Sequence, residues 1–352
     1  MTKVRFLILA LFVSVGIYGQ DKKISELPAA TTPPDSADKF VMVQSGTTKQ
    51  IDFWDISQTS FPVDVRTYGA GHIIFESFWL GEDAGISNVS GIWNIGLGVR
   101  AHYGLTSGAG NTALGYNSGY GITTGTFNHF AGLQSGYGID TASFNIALGT
   151  KSMYSGNGRG NIARGYQSAY NITGVHNIFD GWESGYTATT ADYNVGIGYK
   201  NMYSLSTGNY NIAIGSSASD SITSGSYATV IGSNAGQSHK TVNGPTYIGY
   251  AAGRFASGAG NTSVGYATMA GVAGTNTGTY NSAFGYSSML DIVNGDYNSA
   301  YGSYSLTNIT SGNFNTAIGS SSLSAITTQS NNTGVGSSAF LNATGSSSVG
   351  IG

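Results

Sequence analysis

A five-residue figure, Asn-x-x-apolar-Gly, returns at a nearly fixed interval through most of this 352-residue chain and constrains its fold more than any other feature. It starts at Asn94, Asn111, Asn128, Asn145, Asn161, Asn177, Asn194, Asn211, Asn261, Asn281, Asn298, Asn315 and Asn332. Its closing glycines run from Gly81 and Gly98 to Gly336, with Gly350 read as the last. Most steps are 17 residues, three are 16, one is 20, and the final one is 14 on that reading. An interval this constant specifies a repeat architecture. Seventeen residues is too short for a helix pair and matches one turn of a β-solenoid. With turns stacked at about 4.8 Å, about 17 turns predict a rod roughly 80 Å long.

Composition narrows the function classes. Only 9% of residues are charged, and after Arg254 the only charges are Asp291 and Asp296. That excludes a nucleic-acid binder working through a basic stripe. The apolar and aromatic residues recur at fixed positions, which excludes a disordered chain. There is no cysteine, so disulfides and thiolate metal sites are excluded.

The first 80 residues differ from the rest. Residues 1–19 carry Lys3 and Arg5, then an apolar run from Phe6 to Ile17, then Gly19, which is the pattern of a secretory signal peptide. The apolar run is short for spanning a bilayer. Residues 20–60 hold a Thr/Pro-rich linker and two short strand segments, Phe40–Val43 and Lys49–Phe53, flanking Ser45 and Gly46, a hairpin signal. Residues 61–80 read as a collar before the rod, 81–352.

Within the rod each turn is numbered from its Asn as position 0. Position +3 is Leu97, Leu114, Leu148, Ile197, Ile214 and similar residues, and +1 is often Ile, Val or Thr. Strand alternation puts +1 and +3 on one face, and their apolar character predicts that this face is the core. Position +4 is always glycine, as expected for a tightly turned backbone. Position +7 is almost always Ser or Ala, which predicts close approach to the opposite wall or to a neighbouring chain. Tyrosine fills +9 in seven successive turns, Tyr103 to Tyr203, and aromatics such as Phe127, Tyr210 and Tyr297 recur at −1. Rings at turn spacing predict stacked ladders, with an aromatic platform for sugar as the functional alternative. The Asn column predicts a ladder of amides bonded turn to turn.

Candidate chemistry is sparse. Arg164 and Asp180 occupy +3 in adjacent turns, in a column otherwise apolar or aromatic. They are expected to form a buried ion pair that fixes register, so that Arg164→Leu would leave Asp180 uncompensated. Asp180 with Glu183, or Glu82 with Asp83, are neighbouring acids to weigh for glycoside cleavage, and a solvated solenoid face is the plainer reading. The five histidines share no column, so no metal site or cofactor is expected. No calcium-binding solenoid motif occurs. Three extra residues lie in 271–278, where an insertion makes either a binding loop or a tolerated bulge.

Two resemblances bear on function. Ile24-Ser25-Glu26-Leu27-Pro28 and its surroundings resemble the short module that precedes the repetitive shaft in many bacteriophage tail-fibre and virion proteins. The repeat Asn-x-Ala-Ile-Gly-x-x-Ser, as in Asn211 to Ala218 (with Ala in the last place), is similar to the head repeats of trimeric autotransporter adhesins and to longer repeats of tail-fibre-like proteins. The resemblance implies three parallel chains, each a left-handed β-roll, packed about a threefold axis. The expectation is therefore an all-β parallel β-solenoid in a homotrimeric, non-enzymatic fibre of a phage virion that attaches to a host surface. Its partners would be other virion or surface subunits, at residues 20–60 and at the C-terminal end, and cell-surface glycan. The alternative is a secreted bacterial surface adhesin or filament protein, which residues 1–19 favour.

Overall fold

The computed structural model describes residues 39–44, 47–52, 63–68, 72–272, 276–341 and 345–352, with side chains from residue 77 onward. The expected signal peptide, the Ile24–Pro28 motif and residues 273–275 of the insertion lie outside the described residues. The chain divides into two compact units, Met1–Val63 and Asp64–Gly352. In the first, strands Lys39–Gln44 and Thr47–Asp52 pair antiparallel, from Lys39 opposite Asp52 to Gln44 opposite Thr47.

The second unit is a β-solenoid of about 16 turns, built on one parallel sheet of 17 strands, with no helix among the described residues. Strand Val63–Tyr68 neighbours His72–Leu80 in the sheet, and the end of the latter, Ser77–Leu80, pairs parallel and in register with Asn94–Leu97. Each later turn contributes three residues, for example Thr112–Leu114, Ile178–Asp180 and Thr316–Ile318. Pairing stays in register along the sheet, position to position, through to Val349–Ile351. That last pairing sets Val335 opposite Ile351, so Gly352 and not Gly350 closes the final turn, and the last step is 16 residues rather than 14.

The expected core face is reversed. The middle residue of each strand, +2, points inward, as in Ala113, Phe130, Ala147, Phe179 and Tyr247, all fully buried. Residues at +1 and +3 point outward: Ile95 is 44% exposed and Leu97 43%. The reason is space. A 17-residue turn encloses a narrow interior that backbone and small side chains nearly fill, so the larger aliphatic residues stand outside. The interior is completed by +7, +8 and +11, the last including Leu105, Ile122, Ile172 and Leu205.

Volume at +2 and +8 is traded within a turn and with its neighbours. Where +2 is a ring (Trp79, Phe130, Phe179, Tyr247), +8 is glycine (Gly85, Gly136, Gly185, Gly253). Where +2 is Ala, Gly or Ser, +8 is often large: Met153, Met202, Met269, Met289, Leu306, Leu323. Backbone conformation does not impose glycine at +8, because Met202 (φ 47°) and Leu306 (φ 48°) share the left-handed φ of Gly185 (61°). The ring imposes it: a Cβ on Gly185 would lie 2.6 Å from the Phe179 ring.

Position +4 is different. Gly198 has φ 135°, a region closed to side chains, and a Cβ there would sit 2.4 Å from the carbonyl oxygen of Gly215 in the next turn. The glycine column is thus a stack of backbones in contact. The small +7 residues face the next turn's strand, not another chain: Ser135 donates to Ala147 O at 2.6 Å and Ser168 to Phe179 O at 2.9 Å.

The Asn column supplies the polar spine. Asn211 donates its backbone N–H and its Nδ2 to Asn194 Oδ1, at 2.9 and 3.0 Å. Its Nδ2 also reaches Gly225 O at 2.8 Å. Ala228 and Pro245 interrupt the column together. Ala228 offers no acceptor to the turn that follows, and the residue there is Pro245, which has no N–H to satisfy. Replacing Asn194 by alanine strips Asn211 N–H and Gly208 O of partners in a buried site. The expected loss is about 3 kcal/mol, read from denaturant unfolding of the full chain. A loss below about 1 kcal/mol would show that the spine is dispensable there.

Candidate functional site

The candidate functional surface among the described residues is the outward strand face with the corners beside it. Along the first half of the rod, +1 and +3 present Phe78, Leu80, Ile95, Leu97, Ile146, Ile197, Ile212 and Ile214, each 36–44% exposed. The positions −1 and +5 extend this face with rings, among them Phe127, Tyr193, Trp182 and Tyr199. At about 8 steps of about 4.8 Å and roughly 13 Å from −1 to +3, the face covers on the order of 500 Å². That is near the upper end of the roughly 300–600 Å² of the largest apolar patch on a typical monomer, a patch that is often functional.

Arg164 and Asp180 lie on this face. They pair at 2.7 Å, and their side chains are 52% and 37% exposed. The expectation of a buried pair is therefore corrected: because +3 points outward, the pair is a half-exposed rung on the surface. Removing one partner leaves a hydrated charge, not a buried one. Arg164→Leu is now expected to change the stability of the single chain by less than about 1 kcal/mol. A loss of several kcal/mol in unfolding of the single chain would restore the buried reading, whereas a loss seen only in the associated form would place the pair beneath a second copy.

The remaining acids expected to matter are engaged or isolated. Glu183 pairs with Lys200 at 3.4 Å, and Asp83 with Arg100 at 3.5 Å. The neighbouring tyrosine Tyr199, then Glu183, raises the Lys200 pKa above its ordinary value. Asp220 takes the tyrosine position +9 after Tyr203, followed by Gln237 and Arg254, whose Nε donates to Gln237 Oε1 at 2.9 Å. Partial burial raises the Asp220 pKa.

The histidines scatter. His129 and His176 are exposed, whereas His102 and His239 are fully buried. Among the described residues no three His, Asp or Glu side chains come together to hold a metal ion.

The aromatic columns are ladders. Rings of the +9 column, from Tyr103 to Tyr203, follow one another at 4.9–5.2 Å. At −1, Tyr193, Tyr210 and Tyr227 stack at 5.0 and 5.5 Å, and Tyr280, Tyr297 and Phe314 at 5.2 and 5.1 Å. A ring stacked on both sides has no free face for a sugar, so the continuous ladders are structural and only a break in them leaves a platform. The sequence carried the signal for such breaks, glycine in an aromatic column, and also the trade between +2 and +8.

No family model matches this chain, and no curated protein or solved structure matches it.

Proposed function

We propose that this chain is a non-enzymatic structural fibre protein, a homotrimer whose rod carries attachment to a host surface as part of a phage virion. The observation that carries this reading is the apolar outward face. It runs the length of the first half of the rod at about 500 Å² per copy, so two copies in contact would bury on the order of 1,000 Å² in total, the lower bound for a specific protein interface. A second and third copy of the same chain would cover it in register, because each copy presents the same ladder at the same spacing. The N-terminal resemblance to the module that precedes phage fibre shafts supplies the virion context. Few charges, no clustered acids or histidines among the described residues and no cysteine support a structural role.

A secreted bacterial surface adhesin is the second reading, favoured by the basic, apolar and small-residue order of residues 1–19. Immunogold electron microscopy with an antibody to the rod separates the two, on cells and on purified particles from the source culture. Label on particle tails or capsids supports the virion fibre. Label on cell surfaces or free filaments, with particles bare, leaves the adhesin. Release of sugar from host polysaccharide by the purified chain would overturn both non-enzymatic readings.

A further inference from the structure

The −1 ladder has one empty rung. Four of its positions are glycine: Gly110, Gly160, Gly244 and Gly260. At three of them the ring of the next turn leans into the space. A Cβ built there would lie 2.7 Å from Phe127, His176 or Tyr280 respectively. Gly244 is followed by Gly260, so no ring comes down on it, and a Cβ there meets nothing within 4 Å. Below the vacancy stands Tyr227. One face of its ring stacks on Tyr210 at 5.5 Å with planes 3° apart, and the other faces the empty rung. Tyr227 is accordingly 65% exposed, more than Tyr193, Tyr210, Tyr280 or Tyr297.

The vacancy is bordered by hydrogen-bonding groups rather than aliphatic ones. Position +1 is mostly aliphatic in the first half of the rod and becomes Thr229, Thr246 and Thr262 here. Two residues along a strand is about 6.6 Å, so Thr229 and Thr246 stand beside the rung. On the other side Asn243 accepts Ser226 N–H through Oδ1 at 2.9 Å, which anchors its amide and leaves Nδ2 to donate elsewhere. The backbone at −1 turns with positive φ, +69° at Gly244, which sets the slot at a corner, on the margin of the apolar strand face.

We infer that this rung is a carbohydrate subsite that takes one pyranose ring. The ring's C–H face would lie on Tyr227, and its hydroxyls would meet Asn243, Thr229 and Thr246. The chemistry selects a sugar over an apolar side chain, because one wall is an aromatic face and the others are hydroxyl and amide. One rung of about 4.8 Å admits one ring's thickness. The inference rests on the attachment reading and gives it a ligand class.

The test uses the full chain with three probes: methyl β-glucoside, methyl β-galactoside and methyl N-acetyl-β-glucosaminide. Saturation-transfer NMR is expected to show contact through ring C–H protons for at least one of them. Gly244→Tyr is the decisive variant. Rings at −1 already adopt φ between 54° and 63°, so a tyrosine fits the backbone, fills the rung and extends the stack from Tyr227. It should fold with an equal or higher melting temperature and bind the same sugar roughly tenfold or more weakly. Tyr227→Ala should weaken it similarly. The subsite is overturned if none of the three sugars binds, or if wild type and Gly244→Tyr bind equally. It is also overturned if the substitution changes self-association while sugar binding is absent, since the rung then receives a ring from a second copy. Chain mass and particle localisation judge the fibre reading separately, so the subsite can fail while that reading stands.

Discussion

Gly185→Met is expected to destabilise the rod by about 3 kcal/mol or more, although methionine is the residue found at the same position one turn later. Met202 occupies that position with φ 47°, so the left-handed backbone at Gly185, φ 61°, is open to methionine. The obstacle is Phe179, whose ring would lie 2.6 Å from the new Cβ. Phe179 is fully buried and lies between Gly185 and Gly196 of the next turn. Phe179→Ala alone should cost about 3–5 kcal/mol through the cavity it leaves. The pair Phe179→Ala with Gly185→Met recreates the Ala147 and Met153 combination found two turns earlier. The double variant should therefore lose about 2–3 kcal/mol less than the sum of the two single losses, which is the coupling between the sites. Additive losses in chemical denaturation would mean that the two positions do not share one volume.

Acid is the second large lever. His102 is fully buried, edge-on to Trp79 at 5.9 Å and 6.5 Å from Phe130. Burial pushes its pKa down to about 3, with the backbone of Gly119 and Asn111 opposing that shift only in part. His239, buried edge-on to Tyr247 at 5.9 Å, is pushed down to about 4, again by burial. In the unfolded chain both would take a proton near pH 6.5. As pH falls below 6.5 the unfolded state binds protons that the folded state refuses, so stability drops until the folded pKa values are reached. Between pH 7 and 4.5 each histidine should remove roughly 2–3 kcal/mol. Asp220, whose pKa burial raises, works in the opposite direction. The isolating variant is His102→Met with His239→Ile. Gly96 and His102 stand where Gly196 and Met202 stand elsewhere, and His239 occupies the column of Ile222 and Ile292. Its denaturation midpoint should move far less between the two pH values than that of wild type. Equal movement would assign the acid sensitivity to other groups.

Much of this architecture is written openly in the chain. The interval from Asn to Asn predicts the solenoid, and glycine at +4 marks the bend where successive backbones touch. The face of the sheet is harder to read. Alternation says that Ile212 and Ile214 point one way and Ala213 the other, but not which way is in. In a wide sandwich the larger residues would be inside. In a turn this narrow the interior takes Ala213, and the isoleucines stand outside. That one reversal also carries Arg164 and Asp180 from the core to the surface. The end of the rod misled for a local reason: Gly350 and Gly352 both offer a closing glycine, and only the in-register pairing of Val335 with Ile351 selects the second. Function is less legible, because the exposed face is apolar and repetitive and has no cluster of groups that would name a reaction. The clearest local signals are departures from the repeat: Ala228 with Pro245, and Gly244 with Gly260.

Sedimentation equilibrium of the full chain tests the central claim most directly, that the outward face of Ile95, Leu97, Ile197 and Ile214 is covered by copies of the same chain. The account predicts a single species with the mass of three chains that persists on dilution. A species with the mass of one chain, soluble and folded at the same concentrations, would contradict it.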